Sequence, residues 1–474
     1  MLNKSLTGKF DKDINALDSQ LRLDASYDLI GRNVKIAGRR AKLYLIDGFC
    51  KDELMQKIIA TLMDLAPEDI ENLKTARDFA SSYISYVETD IVADMAAFEK
   101  QVLSGAIGVI IEGFSESIII DARTYPVRSV GEPENDRVLR GPHDGFVETV
   151  VFNSALIRRR IRDVNLTMEA HSVGTKSQSD VVICYMNGTA NEKSLENIRK
   201  KLSSITINSL TMSQQSLIEC LVPKQRLNPF PKVRYTERPD AAAASILEGS
   251  IVILTDNSPA AMIVPSGIFD FLQDTNDFYM SPLIGSYLRI VRMIIFALTL
   301  LLVPTWFLLI QNPEYIPEWL NFIRIEEEIN MPIVFQLLVV EIVIDALRLA
   351  SINTPNALNS SFAVVGALVL GEFAVSAGWF VAEVVLYMAF VAISNFAQPS
   401  FELGYAFKLL RMMLIVLTAL FNFWGYLAGL AIIALEVAFN KTVTGQSFLY
   451  PLIPFNAKAL SNLLLRRPIN IKNN

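Results

Sequence analysis

Residues 287–310, YLRIVRMIIFALTLLLVPTWFLLI, restrict this chain more than any other stretch. As a helix they reach about 36 Å, enough to cross a hydrocarbon core of about 30 Å. Up to about Pro282 charged and apolar residues mix as in a water-soluble protein, and beyond Tyr287 apolar runs dominate. A chain so divided is expected to fold as an α/β cytosolic N-terminal region followed by an α-helical multi-span membrane domain. The N-terminus has no apolar core, so no cleaved signal peptide is expected.

In the first half the hydrophobic period switches between strand and helix spacing. AKLYLIDGF (41–49) alternates and then turns at Asp47-Gly48, whereas KDELMQKIIATLMDL (51–65) repeats at helical spacing. A helix over roughly 90–104 leads to AIGVIIEGFSESIIID (106–121), which reads as a hairpin. A second unit holds an arginine-rich helix, a strand DVVICYM (180–186), a helix near 191–203 and a hairpin SIVILTDNSPAAMIV (250–264). The Pro-rich stretch LNPFPKVRYTERP (227–239) divides this unit or tethers it to the apolar half of the chain. The pattern implies a tail over 1–30 and two α/β subdomains, 31–124 and 125–282.

The stretch GPHDGFVETVVFNSALIRRRIRD (141–163) places Arg158, Arg159, Arg160 and Arg162 in one short window of a chain whose formal net charge is −6. A nucleic-acid surface needs a basic domain with an extended stripe of Lys and Arg, and here the cluster is isolated. Lipid headgroups act only close to a bilayer, and about 120 residues separate the cluster from the first apolar span. An interface role fits better. Arg158 and Arg162 share a helical face, Arg159 reaches Asp163 at i+4, and a guanidinium holds a carboxylate with two bonds. The acids of GEPEND (131–136), or those of an adjacent copy, are candidate partners. A seam between subunits or subdomains and a local intrachain network remain alternatives.

Catalytic signatures are missing. The sequence has no G-x-x-x-x-G-K-[ST], no G-x-G-x-x-G after a strand, no G-x-S-x-G and no H-E-x-x-H. Its two histidines, His143 and His171, have no ligand at metal-binding spacing, and Cys50, Cys184 and Cys220 are far apart and odd in number. Neither enzyme, cofactor nor metal is expected, and the cysteines suit a reducing compartment.

The apolar half carries its own chemistry. In SFAVVGALVLGEFAVSAG (361–378), Ala363, Ala367, Gly371, Ala374 and Gly378 form a small-residue stripe for helix packing. Ser361, Val365, Leu368, Glu372 and Ser376 lie opposite and are pore-lining candidates, because a mid-membrane acid is costly unless it meets water or a partner. MPIVFQLLVVEIVIDALRLAS (331–351) sets Glu341, Asp345 and Arg348 on one face, either in an interfacial amphipathic helix or as an ion pair within a bundle helix. Four crossings are expected, 287–310, 358–378, 379–396 and 409–439, with 331–351 at the surface or re-entrant. The run 409–439 is taken as one long, tilted or kinked span, and the domain as 283–440. Arg289 and Arg292 before the first span, and the basic tail 441–474, put both flanks in the cytoplasm. Lys408 and Arg411 conflict with this arrangement, which sets them near the outer face.

Three long motifs carry a resemblance: RGPHDGFVETVVFNSALIRRRIRD (140–163), TERPDAAAASILEGSIVILTDNSPAAMIVP (236–265) and VVGALVLGEFAVSAGW (364–379). In their order the chain resembles the A subunits of the GerA spore germination receptors, from about Arg32 to Pro468. QPSFELGYAFKLLRMM (398–413) and YPLIPFNAKAL (450–460) are similar to the stage V sporulation branch of that family. Ser250 departs from the Arg usual in the receptor subunits. The resemblance implies two cytosolic α/β subdomains and a membrane domain that assembles as a homo-oligomer, pentamer-like, around an ion path in the spore inner membrane. It also implies other germination membrane proteins as partners and a link to dipicolinate release. A non-conducting scaffold or receptor component is the alternative.

Overall fold

Short apolar runs, buried along most or all of their length in the inner strands, build two five-stranded antiparallel sheets. The computed structural model describes residues 5–466 apart from 51, 72, 124–137, 139, 223–227 and 354–372. The chain divides into two units. The first comprises Met1–Lys224, Val233–Pro265 and Val443–Gly445, and the second Gln225–Lys232, Ser266–Thr442 and Gln446–Asn474.

In the first unit, β1 (Leu29–Ile36), β2 (Arg39–Ile46), β3 (Thr89–Val92), β4 (Ile107–Ile111) and β5 (Ser117–Ile120) pair in the order β1-β2-β4-β5-β3. β6 (Leu166–Val173), β7 (Ser179–Met186), β8 (Arg234–Thr236), β9 (Ile251–Thr255) and β10 (Ala261–Val264) pair in the order β6-β7-β9-β10-β8. The two lobes are copies of one topology. Ile107 faces Ile120 as Ile251 faces Val264, and Ser117 faces Val92 as Ala261 faces Thr236. Each counterpart lies 144 residues further on. The helices before β4 and β9, Met95–Leu103 and Pro239–Leu247, keep the same offset. So do the turns: Gly105 and Gly249 take φ of +100° and +96°, and Gly113 and Asn257 take +97° and +58°. At Gly105 a side chain is excluded outright, because a Cβ would lie 2.4 Å from the Phe49 ring.

Both expected hairpins form, as β4–β5 and β9–β10. One boundary differs from the sequence expectation. Phe10–Leu21, expected in a tail, is a helix whose Leu17 and Leu21 are buried with Tyr44, Phe49 and Phe98. The Pro-rich stretch contains β8, an edge strand, which is where proline is tolerated beside a ladder.

The second unit is a helical bundle of α1 (Pro282–Gln311), α2 (Ile333–Asn353), α3 (Ala382–Phe396) and α4 (Phe401–Phe439). α4 is not the single span expected. Asn422 takes φ 51° and ψ −132°, and the chain doubles back there. A Cβ on Gly429 would lie 2.5 Å from Leu414 Cδ1, and one on Gly425 would lie 1.9 Å from the Leu417 carbonyl oxygen. In a straight helix Leu414 and Gly429 would be about 22 Å apart. The arms 401–421 and 423–439 are thus antiparallel, about 31 and 25 Å long, and the glycines bring their backbones together. Asn312, which caps α1, exchanges side-chain hydrogen bonds with Asn422 at 2.6 and 3.0 Å.

Cross-contacts give the directions. Phe296 stacks near Phe407 and Arg411 donates to the Thr299 carbonyl, so α1 runs parallel to the first arm. The 2.7 Å Thr305–Tyr426 hydroxyl bond ties α1 to the second arm. α2 runs antiparallel to the first arm: Glu341 meets Arg411, Asp345 meets Lys408, and Arg348 lies over the rings of Phe401 and Tyr405. α3 starts beside the start of α2, where the Val381 amide donates to Gln336 Oε1. Of the readings left open for 331–351, the structure shows the bundle helix and not the surface segment, with Glu341 of α2 at 1% exposure. Pro282 and Asn440 share one end of the bundle, and Gln311 and Asn422 the other.

A leucine at position 429 is expected to destabilise the bundle by about 1–3 kcal/mol through overpacking against Leu414. Ala428→Leu, on the exposed side of the same arm, should be near neutral. Thermal unfolding of both variants in detergent checks the hairpin.

Candidate functional site: buried charge clusters

Glu341 and Asp345 stand four residues apart on α2, and Lys408 and Arg411 three apart on the first arm of α4, so each pair projects from one helix face. Arg411 Nη2 lies 2.5 Å from Glu341 Oε1, Nε donates to the same oxygen at 2.7 Å, and Nη1 donates to the Thr299 carbonyl at 2.7 Å. Lys408 Nζ lies 3.3 Å from Glu341 Oε2 and 2.5 Å from Asp345 Oδ2, and donates to the Glu341 carbonyl at 2.8 Å. Arg411 is fully buried and Asp345 alone is partly open. Two acids facing two bases close the charge balance. The pairing expected within α2 among Glu341, Asp345 and Arg348 is replaced by a bridge to a second helix. Charges are stable at such depth only when paired and hydrogen-bonded.

A second cluster fixes the beginning of α1. Asp277 is fully buried, and Arg292 grips it with Nη1 at 2.6 Å and Nη2 at 3.1 Å. Arg289 Nε lies 3.6 Å from Asp277, and its Nη1 donates to the Asn462 carbonyl at 3.0 Å. These arginines, read in the sequence as flanking charges, are structural anchors.

Lys232 holds the base of the second arm. Its ammonium meets Asn440 Oδ1, donates to the Lys441 carbonyl at 2.9 Å, and faces the Phe448 ring. Burial pushes the ammonium down to about 8. In the unfolded chain lysine titrates near 10.4, so between about 8 and 10 the unfolded state binds more protons and stability rises with pH. Thermal unfolding should show this rise in the native chain, with a smaller rise after Lys232→Met.

In the first unit the arginine helix is Val150–Arg160, so Arg162 lies beyond it and shares no helical face with Arg158. Arg158 is fully buried. It grips Asp28 through Nε at 2.7 Å and Nη2 at 3.0 Å, and also donates to Ser26 Oγ and to the carbonyls of Asp163 and Leu166. Arg160 holds Asp144 at 2.6 Å, Arg159 is half-buried, and exposed Arg162 reaches Ser104 Oγ at 3.5 Å. Of the expected partners, 131–136 lie outside the described residues. Asp28, 130 positions upstream, gave no local signal.

Ser361, Ala363, Val365, Ala367, Leu368, Gly371 and Glu372 lie outside the described residues. Ala374–Ser376 is one helical turn ending in a Schellman motif: Gly378 N–H bonds the Val375 carbonyl and Trp379 N–H the Ala374 carbonyl. Gly378, at φ +71°, caps this turn, and Ser376 bonds its own turn at the Phe373 carbonyl. Among the described residues no group of three His, Cys, Asp or Glu is placed to hold a metal.

The duplicated lobes and the charge-pinned apolar bundle define the class, an α/β region carrying a helical bundle. The family model described as Bacillus/Clostridium GerA spore germination protein matches residues 16–474, and the chain belongs to that family. Stage V sporulation protein AF of Bacillus subtilis (strain 168) is 36% identical over 452 residues, covering 94% of this chain and 90% of that protein. Spore germination protein KA of the same organism is 28% identical, covering 96% and 84%. Spore germination protein GerLA of Bacillus cereus is 28% identical, covering 94% and 91%. Among solved structures, the N-terminal domain of the A subunit of the Bacillus megaterium spore germinant receptor GerK3 aligns at 24% identity with a TM-score of 0.43, over 55% of this chain and 96% of that one.

Proposed function

We propose that the chain is a membrane subunit of a spore germination apparatus in the spore inner membrane, assembling as a homo-oligomer, pentamer-like, around an ion-conducting path. The observation that carries the membrane part of this reading is the closed charge cluster on α2 and α4, set inside a bundle with large apolar side chains on its outer face. α1 is long and apolar enough to cross a membrane, and the two arms of α4, about 31 and 25 Å long, are close to the thickness of a hydrocarbon core. With α4 folded back, the basic tail returns to the end where α1 begins, and Lys408 and Arg411 face that same side, so the conflict in the charge pattern disappears. Positive residues at this end support a cytoplasmic side for it. Ion flux through the oligomer promotes germination, with no covalent chemistry.

The test is reconstitution. Purified protein in vesicles is expected to conduct and to migrate as a ring-sized oligomer, and Glu372→Gln is expected to change conductance or selectivity while the oligomer persists. Unchanged flux would remove Glu372 from the lumen. A second reading, a non-conducting scaffold component, is favoured by one observation: the cluster is neutral overall and satisfied within a single chain. A monomer without conductance would select it.

A further inference from the structure

The end of the bundle marked by Asn312 and Asn422 carries an unusual surface. Between α1 and α2 the chain makes two short 3₁₀ helices, Pro313–Tyr315 and Glu318–Ile323. With three residues per turn, side chains three apart lie over one another, and the segment is two-faced. Ile316 and Ile323 are buried, and Leu320 packs with them against Trp306 and Phe307. Trp306 itself is buried and donates to the Ile323 carbonyl at 3.0 Å, which fixes this face to the bundle. On the other face Tyr315, Trp319 and Phe322 are 73%, 76% and 76% exposed.

Trp379 belongs to the same end, because Asn330, just before α2, bonds the Gly378 carbonyl. Phe421, Phe423 and Trp424 flank Asn422 there and are exposed as well. Three of the four tryptophans thus stand outward at one end of the bundle. In water such a collection is a large unmanaged apolar patch. Tryptophan and tyrosine collect instead where a bilayer meets water, ring in the acyl boundary and polar edge in the headgroups. The spacing agrees: from Arg292 to Asn312 along α1 is about 30 Å, the thickness of a hydrocarbon core. The flanking acids Glu314, Glu318, Glu326, Glu327 and Glu328 are exposed, as suits the water side.

We propose that the segment 312–330 lies flat in the headgroup layer of the bilayer face away from the basic tail, with Tyr315, Trp319 and Phe322 entering the acyl boundary and Trp379 and Trp424 at the same depth. The inference rests on the membrane reading above and adds the surface and depth at which lipid is met. The occupant of the patch is phospholipid.

Tryptophan fluorescence tests this in the full chain. The background is Trp379→Phe with Trp424→Phe, compared with the same protein also carrying Trp319→Phe. The difference is the emission of Trp319, and buried Trp306 stays untouched. Trp319 is mostly exposed, so its replacement disturbs no packing. In phosphatidylcholine vesicles the Trp319 signal is expected to fall about twofold with bromine attached near the headgroup, and less with bromine deep in the chain. Free quenching by aqueous acrylamide would put the segment in water and overturn the proposal. Protection from every quencher would mean that another protein chain covers it, which also overturns it. Flotation separates the two readings. Protein that floats with vesicles while Trp319 escapes bromine sinks this proposal alone, whereas protein that does not float sinks the membrane reading itself.

Discussion

Arg411→Ala is expected to destabilise the bundle by about 3–5 kcal/mol, the range for stripping one partner from a buried ion pair. Glu341 is 1% exposed and would keep only Lys408, at 3.3 Å and already shared with Asp345. The Thr299 carbonyl would lose its donor from Arg411 as well. The paired replacement Glu341→Met with Arg411→Met should recover most of that loss, because two apolar side chains of similar volume need no solvation. Thermal unfolding or denaturant titration in mild detergent, run as a double-mutant cycle, measures the coupling, expected above about 2 kcal/mol. Singles that each cost under about 1 kcal/mol would mean that water reaches the cluster.

The second large effect is expected in the duplicated lobes. Arg158→Ala leaves Asp28 buried without its guanidinium and removes donors to Ser26, Asp163 and Leu166. A loss of about 3–5 kcal/mol, or a fall in Tm on the order of 10 °C, is expected. Arg158→Lys keeps the charge but not the fork, so it should restore part of the stability. Arg162→Glu, at an exposed position past the helix, should stay within about 0.5 kcal/mol of the native chain. Native mass of the assembly decides between the two roles weighed for these arginines. Folded Arg158→Lys protein with unchanged subunit number agrees with an intrachain tie. A shift to smaller species without unfolding would restore the subunit seam.

Local chemistry was the part legible in the sequence. The β4–β5 and β9–β10 hairpins follow from short apolar runs broken at Gly113 and Asn257, and Glu192–Ser203 follows from its Asn191 cap and apolar spacing. The family, too, was readable from ordered motifs. Pairings across long stretches of chain were not. Asp28 and Arg158, or Glu341 and Arg411, are ordinary charges until folding brings them together, and period analysis sees only one element at a time. The repeat of the lobes escaped for a related reason: the shared frame is written in strand register and turn angles, while side chains diverged. Gly105 and Gly249 were the available clue, each placed two residues before a strand of isoleucine and valine. The reversal at Asn422 was hidden because an apolar run of this length also suits one tilted helix. The signal was Gly425 and Gly429 following a lone polar residue.

That reversal bears on how the protein is made. In the membrane reading proposed above, two arms joined by a single-residue bend enter a bilayer together as a closed wedge, and no charged segment between them has to be carried across. Their tip exposes the amide of Asn422, and Asn312, made earlier in the chain, is already there to bond with it. Synthesis order and bonding order therefore coincide. A chain that ended between Gly425 and Gly429 would leave Leu414 without the close backbone of the second arm against which it packs.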